Sequence, residues 1–208
     1  MARVRLVKSK RIEGILLAAG ESRRMGFPKP LLRLNEETFL NHIAASMLVT
    51  VERLIIVVGA HRDAVTASVS PDNRIGIIEN PDYKLGQLSS IKAGLRAVST
   101  RADAVIVHLV DHPTVLPGTF GRLAGEYQLS MKPIVIARCR GHRGHPVLFD
   151  RSIFDELQRA PTDIGARAVV NANVGRVVYV DVDDPGILLD LDTPADLARA
   201  GLPGVPSL

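Results

Sequence analysis

Gly14–Pro30 reads GILLAAGESRRMGFPKP, and the fold turns on how this stretch is read. The residues from Ile15 to Ala18 run through Ala19–Gly20 into a polar, glycine-punctuated loop carrying Arg23, Arg24 and Lys29. A continuous apolar run marks a parallel strand covered on both faces, and open α/β sheets bind ligands beyond the carboxyl ends of such strands. An anion here would meet backbone N–H groups and two or three cations, so the loop is a candidate triphosphate site.

Outward from this loop, apolar runs alternate with helical patterns. Thr38 predicts an N-cap for a helix over FLNHIAASMLVT, in which Phe39, Ile43 and Met47 recur at four-residue spacing, and Leu31–Leu34 extends the segment before it. Strands are expected over residues 53–59 and 74–80, separated by a short helix near Asp63–Ser68, and Pro81 stops the second strand. LSSIKAGLRAVS predicts a helix with Leu88, Ile91, Leu95 and Val98 on one face. Ser89 and Ser90 fall in its first turn, where they either meet an anion or a sugar or serve as ordinary caps.

The apolar run DAVIVHLV, residues 103–110, delivers Asp111 at its carboxyl end, ahead of His112–Pro113. That position suits an oxygen ligand of a hard cation, and equally a turn residue before proline. A helix around Thr119–Gln128, the strand PIVIARC and a hairpin into PVLF follow, with Pro146 expected at the start of the second hairpin strand. The Gly-His pairs at 141–142 and 144–145 lack the spacing of a zinc helix, and no cysteine joins them. A helix over Arg151–Gln158, a second one capped by Asp163 and a strand over 176–182 come next. ILLDLD reads as a short strand, which would turn Asp190 and Asp192 to the same side, and Thr193–Pro194 opens the last helix. The pattern predicts a single-domain, Rossmann-like three-layer α/β/α sandwich with a mostly parallel mixed sheet over residues 12–208.

The composition narrows the function classes. Residues 1–11 hold Arg3, Arg5, Lys8, Lys10 and Arg11 and no acid, which accounts for more than the whole net charge of +4 and leaves a near-neutral body. This arm is read as a flexible terminus without assigned function. Aromatic residues make up 4% with no Trp, too few for stacking platforms on nucleic acid. A lone Cys139 excludes an internal disulfide and fits a reducing compartment, and no apolar run is long enough to span a bilayer. A soluble, cytoplasmic protein without nucleic-acid or membrane partners is expected.

Three features thus converge: a basic glycine-bounded loop, a strand-end aspartate in mid-chain and an aspartate cluster before the last helix. Together they describe a metal–triphosphate site, with Arg24 and Lys29 as phosphate cations and Asp111 with Asp190 or Asp192 as ligands of Mg²⁺. Arg23 is read as a surface charge. Gly20 to Gly26 is not G-x-G-x-x-G, which argues against a dinucleotide-dependent oxidoreductase. A catalytically silent nucleotide-binding or cofactor-delivery protein is the remaining alternative class.

LAAGESRRMGFPK also resembles the LAAGxSxRMGxxK signature of nucleotidyltransferases with a glycosyltransferase-A-like fold, in particular the molybdenum cofactor cytidylyltransferase group. GQLSSIKAG, VDHP, GHPVLF, DIGARAVV and LDTPADL resemble that family's later segments in the same order, so the resemblance covers roughly residues 12–198. It implies that Leu17, Ala18 and Ala19 present backbone groups to the base, that Arg24 and Lys29 hold phosphates, and that Asp111 and Asp192 hold the metal. The candidate catalytic residues are then Arg24, Lys29 and Asp111. The candidate nucleotide set is Leu17, Ala18, Ala19, Gly20, Ser22, Arg24, Lys29, Asn80, Ser89, Ser90 and Asp111, with His145 and Asp190 on the acceptor side. The implied reaction joins CMP from CTP to molybdopterin and releases pyrophosphate, with a molybdoenzyme or its chaperone receiving the product. Guanylyl transfer, or a sugar phosphate or methylerythritol phosphate as acceptor, stays open. Ala19 favours CTP, because guanylyl-transferring relatives tend to have Leu-Ala-Gly-Gly here. The chain departs from the family pattern at His112, where Gln is usual, and at Leu88, where Ser is frequent.

Overall fold

The computed structural model describes residues 10–206. Strands β1 (Ile12–Ala18), β2 (Arg33–Leu34), β3 (Glu37–Thr38), β4 (Arg53–Val58), β5 (Ile75–Glu79), β6 (Ala104–Leu109), β7 (Ile134–Cys139), β8 (His142–Asp150) and β9 (Val177–Asp181) are interleaved with seven helices. These are α1 (Phe39–Leu48), α2 (Arg62–Ser68), α3 (Gln87–Ala97), α4 (Pro117–Ser130), α5 (Phe154–Arg159), α6 (Ala166–Ala172) and α7 (Pro194–Arg199). Seven strands form one sheet in the order β5-β4-β1-β6-β8-β7-β9, and β2 and β3 pair only with each other. Strands β5, β4, β1 and β6 are parallel, β7 is parallel to β9, and β8 alone runs antiparallel to its neighbours.

The all-apolar strands are explained by what lies on either side of them. On one face Leu16, Ile56 and Ile106 pack with Phe39 and Ile43 of α1, Phe120 and Leu123 of α4 and Leu197 of α7. On the other, Ile15, Leu17, Val57 and Val107 pack with Leu88 and Ile91 of α3, Leu157 of α5 and Val170 of α6. Each fully buried side chain of this kind contributes about 1.5–3 kcal/mol, and alternate residues of a strand serve opposite cores. Gly94 lets α3 lie against β1, since a Cβ there would stand 2.7 Å from Ile15 Cγ2. The fold is therefore the expected three-layer α/β sandwich with a mostly parallel mixed sheet.

The chain builds outward from β1 through β4 to β5, then returns to place β6 on the other side of β1. This reversal leaves a crevice beyond the carboxyl ends of β1 and β6, where α/β sheets bind ligands. Among the described residues no helix is long and apolar enough to cross a membrane.

Several local expectations are corrected. Pro146 does not open the second hairpin strand: β8 begins at His142, after a turn in which Arg140 and Gly141 have φ of 50° and 81°. Proline is accommodated in an interior strand because the β7–β8 register shifts there, so no ladder N–H is wanted. Asp163 does not cap the following helix, which begins at Ala166 after Gly165 at φ 77°. ILLDLD is not a strand, because Asp184 caps a 3-10 turn over Pro185–Leu188. Leu31–Leu34 divides between a 3-10 turn and β2. Residues 1–9 of the basic arm lie outside the described residues, whereas Lys10 places its ammonium 3.8 Å from the Tyr127 ring centroid and Arg11 N–H donates to Asp103 at 2.8 Å. Thr38 and Thr193 cap α1 and α7 as expected.

Candidate active site

The loop after β1 is held by its own backbone. The N–H groups of Met25 and Gly26 donate to Ser22 O, the Lys29 N–H donates to Ser22 Oγ at 3.0 Å, and Met25 is anchored in the core. This turns Lys29 inward, with only 10% of its side chain exposed. Its ammonium donates to Asp192 Oδ1 at 2.5 Å and to Asp111 Oδ2 at 3.2 Å, while Arg24 donates to Asp192 Oδ2 at 2.5 Å. Burial pulls the Lys29 pKa down, but the Asp111 and Asp192 carboxylates outweigh it and the net shift is upward. Burial pushes Asp192 up, and its bonds to Lys29 and Arg24 bring it below the usual carboxylate value.

The aspartate cluster is fixed to β6 through backbone. Leu191 N–H donates to Asp111 O at 2.9 Å, and the Leu191 side chain is buried, so the residues on either side of it are brought up to Asp111. Asp192 thereby reaches Lys29, and Asp190 joins Asp111 and His112 in a group whose ligand atoms all lie within 4.8 Å of one another. Asp190 is pushed upward by burial and by the like charges of Asp111 and Asp192. Asp111 Oδ1 is enclosed without a hydrogen-bond partner. Two repelling carboxylates and an orphaned oxygen fit a divalent cation, which would relieve both. The geometry thus puts Asp190 beside Asp111. Asp192, expected there, has both oxygens taken by Lys29 and Arg24.

A cavity of about 490 Å³ opens over Lys29, Arg24, Asp111 and Asp192, with Asp190 and His112 outside its lining. Leu17, Ala19, Gly20, Ser22, Arg24, Lys29, Ser90, Asp111 and Asp192 line it, as do Arg23, Tyr83, Gly86 and Gln87. Arg23, expected at the surface, combines both positions: its side chain is 77% exposed and pairs with Glu21 at 2.9 Å. The carbonyls of Leu17 and Ala19 already accept from Val110 and Ala60 N–H, and Ala18 faces the opposite core. Asn80 lies beneath the cavity, donating to Ser89 Oγ and Ser90 Oγ at 2.9 and 3.0 Å. Ser89 donates back to Asp82 O and Gly86 O and so shapes the start of α3, which is the capping alternative. Gly86 and Gln87 open the GQLSSIKAG segment without being among the candidate site residues, and Tyr83 carries no motif. Their signal was position, since they follow β5, whose carboxyl end lies on the same edge of the sheet as those of β1 and β6.

His145 lies apart from the 490 Å³ cavity, with its ring centroid 5.7 Å from that of His112, which is 6.2 Å from His108. Burial and the neighbouring His112 push the His145 pKa down to about 4, so the ring is neutral at pH 7. Burial also holds His108 well below its ordinary value.

Comparisons with known proteins agree with this geometry. Residues 14–177 match the MobA-like NTP transferase domain. The chain is 30% identical over 189 residues to the molybdenum cofactor cytidylyltransferase of Escherichia coli K12, covering 91% of this chain and 95% of that one. It is 31% identical over 201 residues to nicotine blue oxidoreductase of Paenarthrobacter nicotinovorans (90% and 95% covered), and 30% identical over 197 residues to a molybdenum cofactor guanylyltransferase of Cereibacter sphaeroides (91% and 95%). The structure of Rv0371c from Mycobacterium tuberculosis H37Rv superposes with a TM-score of 0.78 at 31% identity, covering 92% of this chain and 97% of that one. Its complex with manganese superposes at 0.73 and 29% identity, with 91% and 97% covered. With a basic loop, buried lysine and carboxylate cluster gathered at the switch point of the sheet, the chain belongs to the MobA-like NTP transferase family and is a nucleotidyltransferase.

Proposed function

We propose that this protein transfers CMP from CTP to the terminal phosphate of molybdopterin, using Mg²⁺ and releasing pyrophosphate in the cytoplasm. The observation that carries this reading is the convergence of Lys29 and Arg24 on Asp192 beside Asp111, in the lining of a cavity that Leu17, Ala19 and Gly20 also border. An oxygen of the acceptor phosphate attacks the α-phosphorus, and the bond from that phosphorus to the bridging oxygen breaks as pyrophosphate leaves. The attacking group is already ionised, so no general base is required. Lys29 and Arg24 hold the triphosphate and offset charge growing on the leaving group, and Ser22 fixes the loop that carries them. Asp111 and Asp190 would hold the cation, which supplies further charge neutralisation on the phosphates.

CTP is favoured over GTP by Ala19 and by the cytidylyltransferase relative. Molybdopterin is favoured by that relative and by the guanylyltransferase, both of which act on this cofactor by name. The oxidoreductase relative suggests another chemistry, but the Lys29 and Arg24 cations lining this cavity suit a triphosphate better than a dinucleotide bound mainly by backbone. A molybdoenzyme or its chaperone would receive the product. The test incubates purified protein with molybdopterin and each of the four NTPs, reading pyrophosphate release and product mass. CMP-bearing molybdopterin is expected, and no turnover with any NTP would reject the reading.

A further inference from the structure

Asp192 stands on the two cations that an incoming phosphate needs. It lines the 490 Å³ cavity together with Lys29 and Arg24, and its oxygens divide between them, Oδ1 accepting from Lys29 and Oδ2 from Arg24, each at 2.5 Å. A carboxylate spanning two cations resembles a phosphate in its charge and in its paired acceptor oxygens. Lys29 carries three N–H donors, and Asp192 together with Asp111 at 3.2 Å takes two of them, so one is left for a ligand.

The two bonds differ in weight. The Arg24 side chain is 71% exposed, so solvent screens its pair with Asp192 and the contact is easily given up. The side chains of Lys29 and Asp192 are 10% and 21% exposed, which leaves their pair much less screened. Behind the carboxylate the chain is fixed, because Asp192 N–H donates to Asp196 Oδ2 at 3.1 Å and the N–H of buried Leu191 donates to Asp111 O at 2.9 Å. Asp192 can therefore leave the cations by turning about its own side-chain torsions, with its backbone in place. Leaving them strips it of compensation while Asp190, which already bears the like charges of Asp111 and Asp192, stays close.

We propose that Asp192 is a built-in competitor of the triphosphate: it holds Lys29 and Arg24 in the empty site, has to be displaced by the arriving phosphates, and so sets the site against polyphosphate that comes without a divalent cation. The part given to Lys29 and Arg24 rests on the phosphate-binding reading above. A metal-free polyanion has to expel one carboxylate toward two others. Asp111 and Asp190, when they hold a divalent cation, no longer repel the displaced Asp192. The apparent affinity for free triphosphate is then reduced to the fraction of molecules in which Asp192 is off the cations, and cation and triphosphate favour each other's binding to the same extent.

Isothermal titration calorimetry with inorganic tripolyphosphate, in EDTA and in excess Mg²⁺, tests this without involving a base. In EDTA, Asp192→Asn should bind tripolyphosphate at least about fivefold tighter than wild type, the gain expected if Asp192 holds the cations in about four-fifths of empty molecules. The advantage of Mg²⁺ over EDTA should shrink in the same variant. Glu21→Gln removes a charge that pairs with the cavity-lining Arg23 and forms no ion pair with Lys29 or Arg24 among the described residues, and it should stay within about twofold of wild type. Unchanged or weaker binding by Asp192→Asn in EDTA, or an undiminished Mg²⁺ advantage, would overturn the proposal. Equal tightening in Glu21→Gln would overturn it too, by reducing the effect to net charge. Wild-type protein that binds no tripolyphosphate in Mg²⁺ would remove the phosphate role of Lys29 and Arg24 and the proposal with it. CMP transfer is scored separately, so tightening in Asp192→Asn by an enzyme silent with CTP would reject the cytidylyl reading and leave the competitor standing.

Discussion

Lys29 Nζ stands 2.5 Å from Asp192 Oδ1, a contact made across 163 residues of sequence. Lys29→Met should therefore act twice. Losing a charge aimed at the transferring phosphates should lower kcat by about 10²–10³, the cost of removing one preorganised stabilising group. It should also lower the melting temperature, because Asp111 and Asp192 would then face each other without their shared cation. Steady-state kinetics with CTP and thermal unfolding of the same sample check both, and retention of full kcat would remove Lys29 from the catalytic set.

Asp190 carries the opposite sign. Its folded pKa is raised, so its contribution is most favourable at low pH and is lost as pH rises through the folded value. Asp192, held below its ordinary value, contributes stability above that ordinary value and loses it as pH falls through the folded pKa. Lys29, shifted upward, contributes below pH 10.5 and loses its share as pH rises through its folded pKa. In chelator at pH 7, Asp190→Asn should raise the melting temperature by about 2–4 °C, and the gain should vanish as wild-type Asp190 becomes protonated in acid. The same substitution should remove the stabilisation that Mg²⁺ or Mn²⁺ gives the wild type. A cation-induced shift of wild-type size in Asp190→Asn would assign the cation elsewhere.

The start of α7 is the platform for Asp192. Asp196 Oδ2 accepts from Asp192 N–H at 3.1 Å and from Thr193 N–H and Oγ1 at 2.7 Å, and Thr193 Oγ1 accepts in return from Asp196 N–H. Thr193→Ala should cost about 1 kcal/mol of stability, the usual worth of a cap, with little effect on kcat. Asp196→Ala should also lower kcat, since it releases the backbone that aims Asp192. Equal kinetics in the two variants would reduce Asp196 to a cap.

Ala19 is the position for changing base preference. Its Cβ lines the cavity side of a tight packing against Gly59, where an added Cβ would stand 2.9 Å away. Ala19→Gly should move the ratio of kcat/KM for CTP over GTP toward GTP by about tenfold. An unchanged ratio would locate base choice in other residues.

Local chemistry made much of this legible. The apolar run at Ile15–Ala18, the strand leading to Asp111 and the Thr193–Pro194 helix start were readable because each signal is complete within a few residues. The errors share one physical origin in tertiary contact. Pro146 sits inside β8 because the partner strand shifts register, and ILLDLD is bent into a turn where Gly186 presses on Thr114, with a Cβ there only 2.5 Å from Thr114 O. The same holds at the site. Sequence spacing left Asp190 and Asp192 both open as partners of Asp111 and the resemblance pointed to Asp192, whereas the Leu191–Asp111 backbone bond brings both up, Asp190 beside Asp111 and Asp192 onto Lys29 and Arg24.

That backbone bond also orders events during synthesis. The parallel strands β1, β4, β5 and β6 are all made by Leu109, so the nucleotide-facing crevice has its walls long before Asp192 leaves the ribosome. Until then Arg24 lacks the carboxylate that orients it, and Lys29 has Asp111 alone. A chain interrupted before Asp190 would carry the loop signature and most of both cores, and should be silent in nucleotidyl transfer.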